Sequence, residues 1–253
     1  MSTTAHVISV SRRTDIPTWY MPWFLNRIEA GFAQYRNPFG GQIYEVSLKP
    51  DDVIAFVFWS RNYEPFLPHW KHLRQLGYDG YFHFTITGLG PPFEPHGPSS
   101  QTMIDVFKML SDQTSPQQVL WRFDPILVSN ITPTDEIPER FERIARQLCG
   151  YTERCYISIV DLYKKTARNL EVLADKGVTC QTLSLEQELA LTQHLVKIAA
   201  TYHIQLHACC ETNLLAIPQV QQAHCVDAAL LRDLFPEKFH ALKKAPTREG
   251  CGG

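Results

Sequence analysis

Apolar and polar positions along the chain fall into short β-forming runs separated by stretches of helical period. His6 to Val10 (HVISV) is β-rich and breaks at once into Ser11-Arg12-Arg13-Thr14-Asp15. Val53 to Trp59 (VIAFVFW) is almost continuously apolar, as a strand covered on both faces should be, and ends in Ser60-Arg61-Asn62. Further strands are expected at Gly80–Ile86, ending at Thr87-Gly88, and at Val119–Phe123, ending at Asp124-Pro125. Two more are expected at Cys155–Val160, which runs into Asp161-Leu162-Tyr163-Lys164, and at Ile204–Cys209, which ends at Cys210-Glu211. Ile43–Leu48 suggests a short extra strand.

Between these runs the apolar period lengthens to that of helices. Pro17–Ala30 predicts one, with Pro17 as its opening residue. Others are expected over Phe66–Leu76, Gln101–Asp112 and Thr134–Leu148. Ser184–Tyr202 is the strongest, with Ser184 and Gln187 spaced as a capping box. From Pro218 onward only short helices and a glycine-ended, cysteine-containing tail are expected. Strand–helix alternation predicts an α/β fold, a single domain over residues 1–253 with about six parallel strands joined by crossover helices. Ser11-Arg12-Arg13 stands where an open dinucleotide-binding sheet would carry a glycine-rich loop, so a (β/α) barrel or partial barrel is favoured.

Composition narrows the setting. The net charge of -2 offers no general attraction to nucleic acid or an anionic membrane. No apolar run approaches the ~20 residues that span a bilayer. The N-terminal MSTTAHVISVSRR has neither the basic start nor the cleavage site of a signal peptide, and a cytoplasmic location is expected. The seven cysteines are odd in number and irregularly spaced, which favours reduced thiols over a disulfide framework. Four of them fall between Cys209 and Cys251.

In parallel α/β proteins ligands bind beyond the carboxyl ends of the strands, so the residues there are the candidates. Arg12, Arg13 and Asp15 form either an anion clamp or a set of ion pairs. Trp59, Arg61 and Asn62 offer a ring and a fork donor, or else a core aromatic and a helix cap. Thr87 is a strand-end hydroxyl. Arg122 and Asp124 are two apart and share a face; they satisfy each other or line a polar site. Asp161, Tyr163 and Lys164 are acid–base candidates. His207 and Cys209 also share a face. Thiolates gathered from several segments suit zinc or an iron centre, although no C-x-x-C spacing is present.

Taken in order, VISVSRRTDIP, the RNPF loop, VFWSRN, FHFTITG, WRFDPI, YISIVDLYKK, CCE, HCVD and REGCG resemble the domain-of-unknown-function 1848 family over nearly the whole chain. That family is similar to radical-SAM proteins and, loosely, to spore photoproduct lyase. The resemblance implies a radical-SAM-like partial barrel and a C-x3-C-x2-C tail that holds an iron–sulfur cluster for S-adenosylmethionine. It assigns no reaction. In this sequence Gly252-Gly253 follow Cys251, and no C-x3-C-x2-C motif occurs. Cys210, Cys225 and Cys251 match other cysteines of the family and are expected as a separate metal set. The expected function is a metal-associated enzyme acting on a polar or anionic small molecule or nucleotide. A non-catalytic ligand- or nucleic-acid-binding barrel and a metal-dependent hydrolase are the alternatives.

Overall fold

The structure, a computed structural model, describes residues 5–11, 13–37, 40–160 and 171–239. In chain order the elements are β1 (His6–Val10), α1 (Ile16–Trp19), α2 (Met21–Ala30), β2 (Phe32–Arg36), β3 (Ile43–Ser47), β4 (Val53–Ser60), α3 (Leu67–Gln75), β5 (Gly80–Thr85) and α4 (Ser100–Gln113). They continue with β6 (Val119–Arg122), β7 (Val128–Ser129), α5 (Glu136–Leu148), β8 (Arg154–Ile157), β9 (Cys180–Gln181), α6 (Leu185–Thr201), β10 (Gln205–Ala208), β11 (Val220–Gln222) and α7 (Ala228–Leu234).

Among the described residues seven strands form one sheet in the order β1-β4-β5-β6-β8-β10-β11, and every neighbouring pair is parallel. The order simply follows the chain. Crossovers of one hand then place their helices on one face of the sheet. Alternation along the strands shows the division. Phe56, Phe58, Phe82, Phe84, Trp121 and Ile157 turn toward the helices and join the main core with Phe24, Phe107, Phe141 and Leu195. Ala55, Val57, Tyr81, Leu120 and Tyr156 turn the other way, where Leu230 and Leu231 of α7 cover them. The carboxyl half of this second face, hereafter the inner face, carries the polar side chains.

Two expectations are revised. The sheet has seven strands where about six were expected, because β11 is a three-residue strand with a single buried apolar residue, Val220, and no readable period. The helix expected over Pro17–Ala30 is two helices that meet at Tyr20. Pro22 sits at the start of the second; it lacks an N–H, and its ring would strike the preceding turn of a continuous helix. The extra strand expected at Ile43–Leu48 is present as β3 and pairs antiparallel with β2 in a hairpin separate from the main sheet. β1 and β11 occupy the two ends of the strand order, with no pairing between them among the described residues.

Candidate functional site

Side-chain alternation builds the site from five strands. Register sets Trp59 of β4 beside His83 of β5, and Arg122 of β6 beside Tyr156 of β8, which in turn neighbours His207 of β10. All point to the inner face. Trp59 stacks on His83 with ring centroids 5.0 Å apart and planes within 11°. Tyr156 meets His83 at 5.2 Å and His207 at 5.1 Å. The Arg122 guanidinium lies over the Tyr156 ring at 5.7 Å. The result is an aromatic floor with one cation set into it.

Arg122 is held from one side. Its Nε donates to Asp124 Oδ1 at 2.9 Å and its Nη2 to Asp124 Oδ2, a fork-to-fork pair in which both side chains are nearly buried. Burial opposes the charge on Arg122, but Asp124 more than offsets it and raises the pKa above the ordinary arginine value. The group is therefore a fixed cation. Its Nη1 is buried and has no hydrogen-bond partner among the described residues. Nη2 also approaches Cys209 Sγ at 3.9 Å.

Cys209 lies one residue past β10 on the same face as His207, and its thiol is in hydrogen-bond contact with that of Cys225. This contact and the Arg122 charge lower the Cys209 pKa from the ordinary thiol value, against the effect of burial. Cys225 belongs to the segment Ala223–Asp227, which crosses the inner face after β11. Three strand side chains anchor that segment. Tyr81 Oη donates to Cys225 O at 3.1 Å, and His83 Nε2 meets the same carbonyl at 2.9 Å. Tyr156 Oη donates to His224 O at 3.4 Å. Tyr81 Oη also accepts from Asp227 N at 2.9 Å, and Asp227 in turn pairs with Arg154 and caps α7. His207 is lowered to about 4 by burial first and by the Arg154 charge second, so it is a neutral imidazole at pH 7.

The remaining sequence candidates divide between scaffold and mouth. Asp15 caps α1 through Thr18 N and accepts from Ser60 Oγ at 2.8 Å, which joins the end of β1 to the end of β4. Arg13 donates to Arg36 O and lies over the Tyr35 ring, so it serves the hairpin. Asn62 shapes the turn after β4 by accepting from Glu64 N. Arg61 and Thr87 come together through a residue that sequence reasoning missed, Glu94. Thr87 Oγ1 donates to Glu94 Oε1 at 2.6 Å, and Arg61 forms an ion pair with the same carboxylate. Glu94 is the single acid of the proline-rich loop after β5, but it stands seven residues past Thr87, away from the strand ends from which the sequence candidates were drawn. Arg12, Asp161, Tyr163, Lys164 and Cys251 lie outside the described residues.

The expected metal set is Cys210, Cys225 and Cys251. Cys210 is exposed and follows the strand by two residues; its neighbour Cys209 is in hydrogen-bond contact with Cys225. A zinc or iron site takes at least three protein donors. Among the described residues no three His, Cys, Asp or Glu side chains are grouped to hold a metal. The two inner-face thiols therefore fall short of such a centre by themselves.

A family model described as Domain of unknown function (DUF1848) matches residues 7–253. No curated protein and no solved structure matches the chain.

Proposed function

The chain belongs to the DUF1848 family, and on that premise we propose that it is an enzyme acting on a polar or anionic small molecule, nucleotides included, bound at the carboxyl ends of the sheet strands. The observation that carries this reading is Arg122. A guanidinium saturated by Asp124 on one edge, with a buried and unpartnered Nη1 on another, supports an anionic group as its missing partner. The Trp59–His83 stack and the Tyr156 ring supply a flat wall beside it. Burial makes that charge count for more than it would in water.

Cys209 supplies the reactive group. Its lowered pKa gives more thiolate at neutral pH than an ordinary cysteine has, next to the cation that would hold the ligand. The sequential strand order and one-sided helices support a partial-barrel architecture. The kinship to radical-SAM proteins rests on the sequence resemblance; an iron–sulfur cluster would supply one-electron chemistry if residues beyond those described bring its ligands.

Thermal-shift measurements with nucleotides and small organic anions test the ligand half. At least one class should raise the Tm of the wild-type protein and leave that of Arg122→Met unmoved. Equal shifts in both proteins refute the role of Arg122. Consumption of that ligand by wild-type protein but not by Cys209→Ser tests the enzyme half; binding without consumption in either protein favours the non-catalytic barrel.

A further inference from the structure

A second cleft, of about 350 Å³, lies where the loop Gly88–Phe93 after β5 meets Ile131, Thr132 and the first turns of α5. Its size falls in the range of small-molecule sites. Its walls are of two kinds. Leu89, Pro91, Phe93 and Ile131 form an apolar side, and α5 contributes charge through Arg140 and Arg143, with Glu136 and Glu139 beside them.

Arg140 sets the chemistry. It is only 7% exposed. Its stem presses on Gly88, where an added Cβ would stand 2.8 Å from Arg140 Cγ, so a side chain at that position would displace it. Its guanidinium lies over the Phe123 ring at 5.7 Å. The Nε is buried with no hydrogen-bond partner, and none of the ion pairs among the described residues includes Arg140. Burial lowers its pKa, and Glu136 only partly offsets this. The other three charges are exposed, so solvent weakens their fields relative to that of Arg140 without abolishing them at the rim. The one desolvated charge in the cleft is thus positive.

We propose that this cleft binds a small monocarboxylate, with the carboxylate on the buried edge of Arg140 and the apolar body on Leu89, Pro91, Phe93 and Ile131. A planar carboxylate matches a guanidinium edge. The rim carboxylates of Glu136 and Glu139 repel a second negative charge, which selects a monoanion over phosphate. The site is separate from the inner-face one. Arg140 packs on Phe123, which turns toward the helices, whereas its chain neighbour Arg122 turns to the opposite face.

Isothermal titration with hexanoate, hexanamide and inorganic phosphate tests the proposal. Hexanoate should bind saturably with a Kd below about 10 mM, and the amide and phosphate at least about tenfold more weakly. Arg140→Met, which keeps the stem on Gly88, should lose hexanoate binding while retaining a cooperative melt. Glu139→Gln should tighten hexanoate and improve phosphate. Arg122→Met/Asp124→Leu, which removes the inner-face cation together with its paired carboxylate, should leave hexanoate binding unchanged, which separates this site from the inner-face reading. No saturable binding by the wild-type protein, hexanamide binding as well as hexanoate, or unchanged affinity in Arg140→Met overturns the proposal. If Arg140→Met does not fold, unchanged affinities in Glu139→Gln overturn it.

Discussion

Arg122 and Asp124 were recognisable as a pair from their spacing alone, because residues two apart on a strand share a face. The sequence left open whether they satisfy each other or line a site. In the structure they satisfy each other in part: Asp124 takes two nitrogens and leaves Nη1, the edge on which the proposed site rests. Removing only the cation strands a nearly buried carboxylate. Arg122→Met should therefore destabilise the fold by about 3–5 kcal/mol in urea unfolding, and Arg122→Met/Asp124→Leu should regain most of that loss. A double variant as unstable as the single one would show that the pair does not act as a unit.

His207 and Cys209 give two further residue-scale expectations. His207 has a folded pKa of about 4, below its unfolded value near 6.5. The folded state thus resists protonation that the unfolded chain accepts. Stability is undiminished above about pH 6.5 and falls as pH drops from there toward 4, by up to about 3 kcal/mol. His207→Gln should flatten this acid slope between pH 6.5 and 4.5 in denaturant titrations; an unchanged slope would assign it to other groups. For Cys209, the alkylation-rate profile should have its midpoint below that of an ordinary free thiol. Cys225→Ala should move that midpoint upward more than any other single thiol removal, since the contact with Cys225 is the largest cause of the shift.

At the scale of elements, the strands were legible where apolar runs were long and unbroken. Val53–Ser60 and Gly80–Thr85 appear within a residue of expectation because buried strands need no polar face. The capping box at Ser184 and Gln187 is present as spaced, since it depends only on local chemistry. What the sequence hid was pairing that depends on distant partners. β11 and the two-residue strands β7 and β9 carry too little pattern to announce themselves. The same holds for Ala223–Asp227, which becomes the cover of the inner face only because Tyr81, His83 and Tyr156 catch its carbonyls. Tyr81→Phe should loosen this cover, removing a donor to Cys225 O and an acceptor for Asp227 N at a cost of about 1–3 kcal/mol. Hydrogen exchange of the Asp227 amide, faster in the variant than in the wild type, checks it.

For the molecule as a whole, the chain-order sheet explains why the chemistry collects where it does. One-sided helices leave the other face of seven strands to be filled by α7 at the amino-terminal half and by polar groups at the carboxyl half. The proposed anionic ligand occupies that carboxyl half, beside the touching pair Arg122 and Cys209. Alkylation kinetics read out residue by residue, with and without the ligand that stabilises the protein, test this placement most directly. Bound ligand should slow modification of Cys209 by about tenfold or more, the protection expected of a largely occupied site, and leave the exposed Cys149 unaffected. Equal rates at Cys209 with and without that ligand would contradict the account.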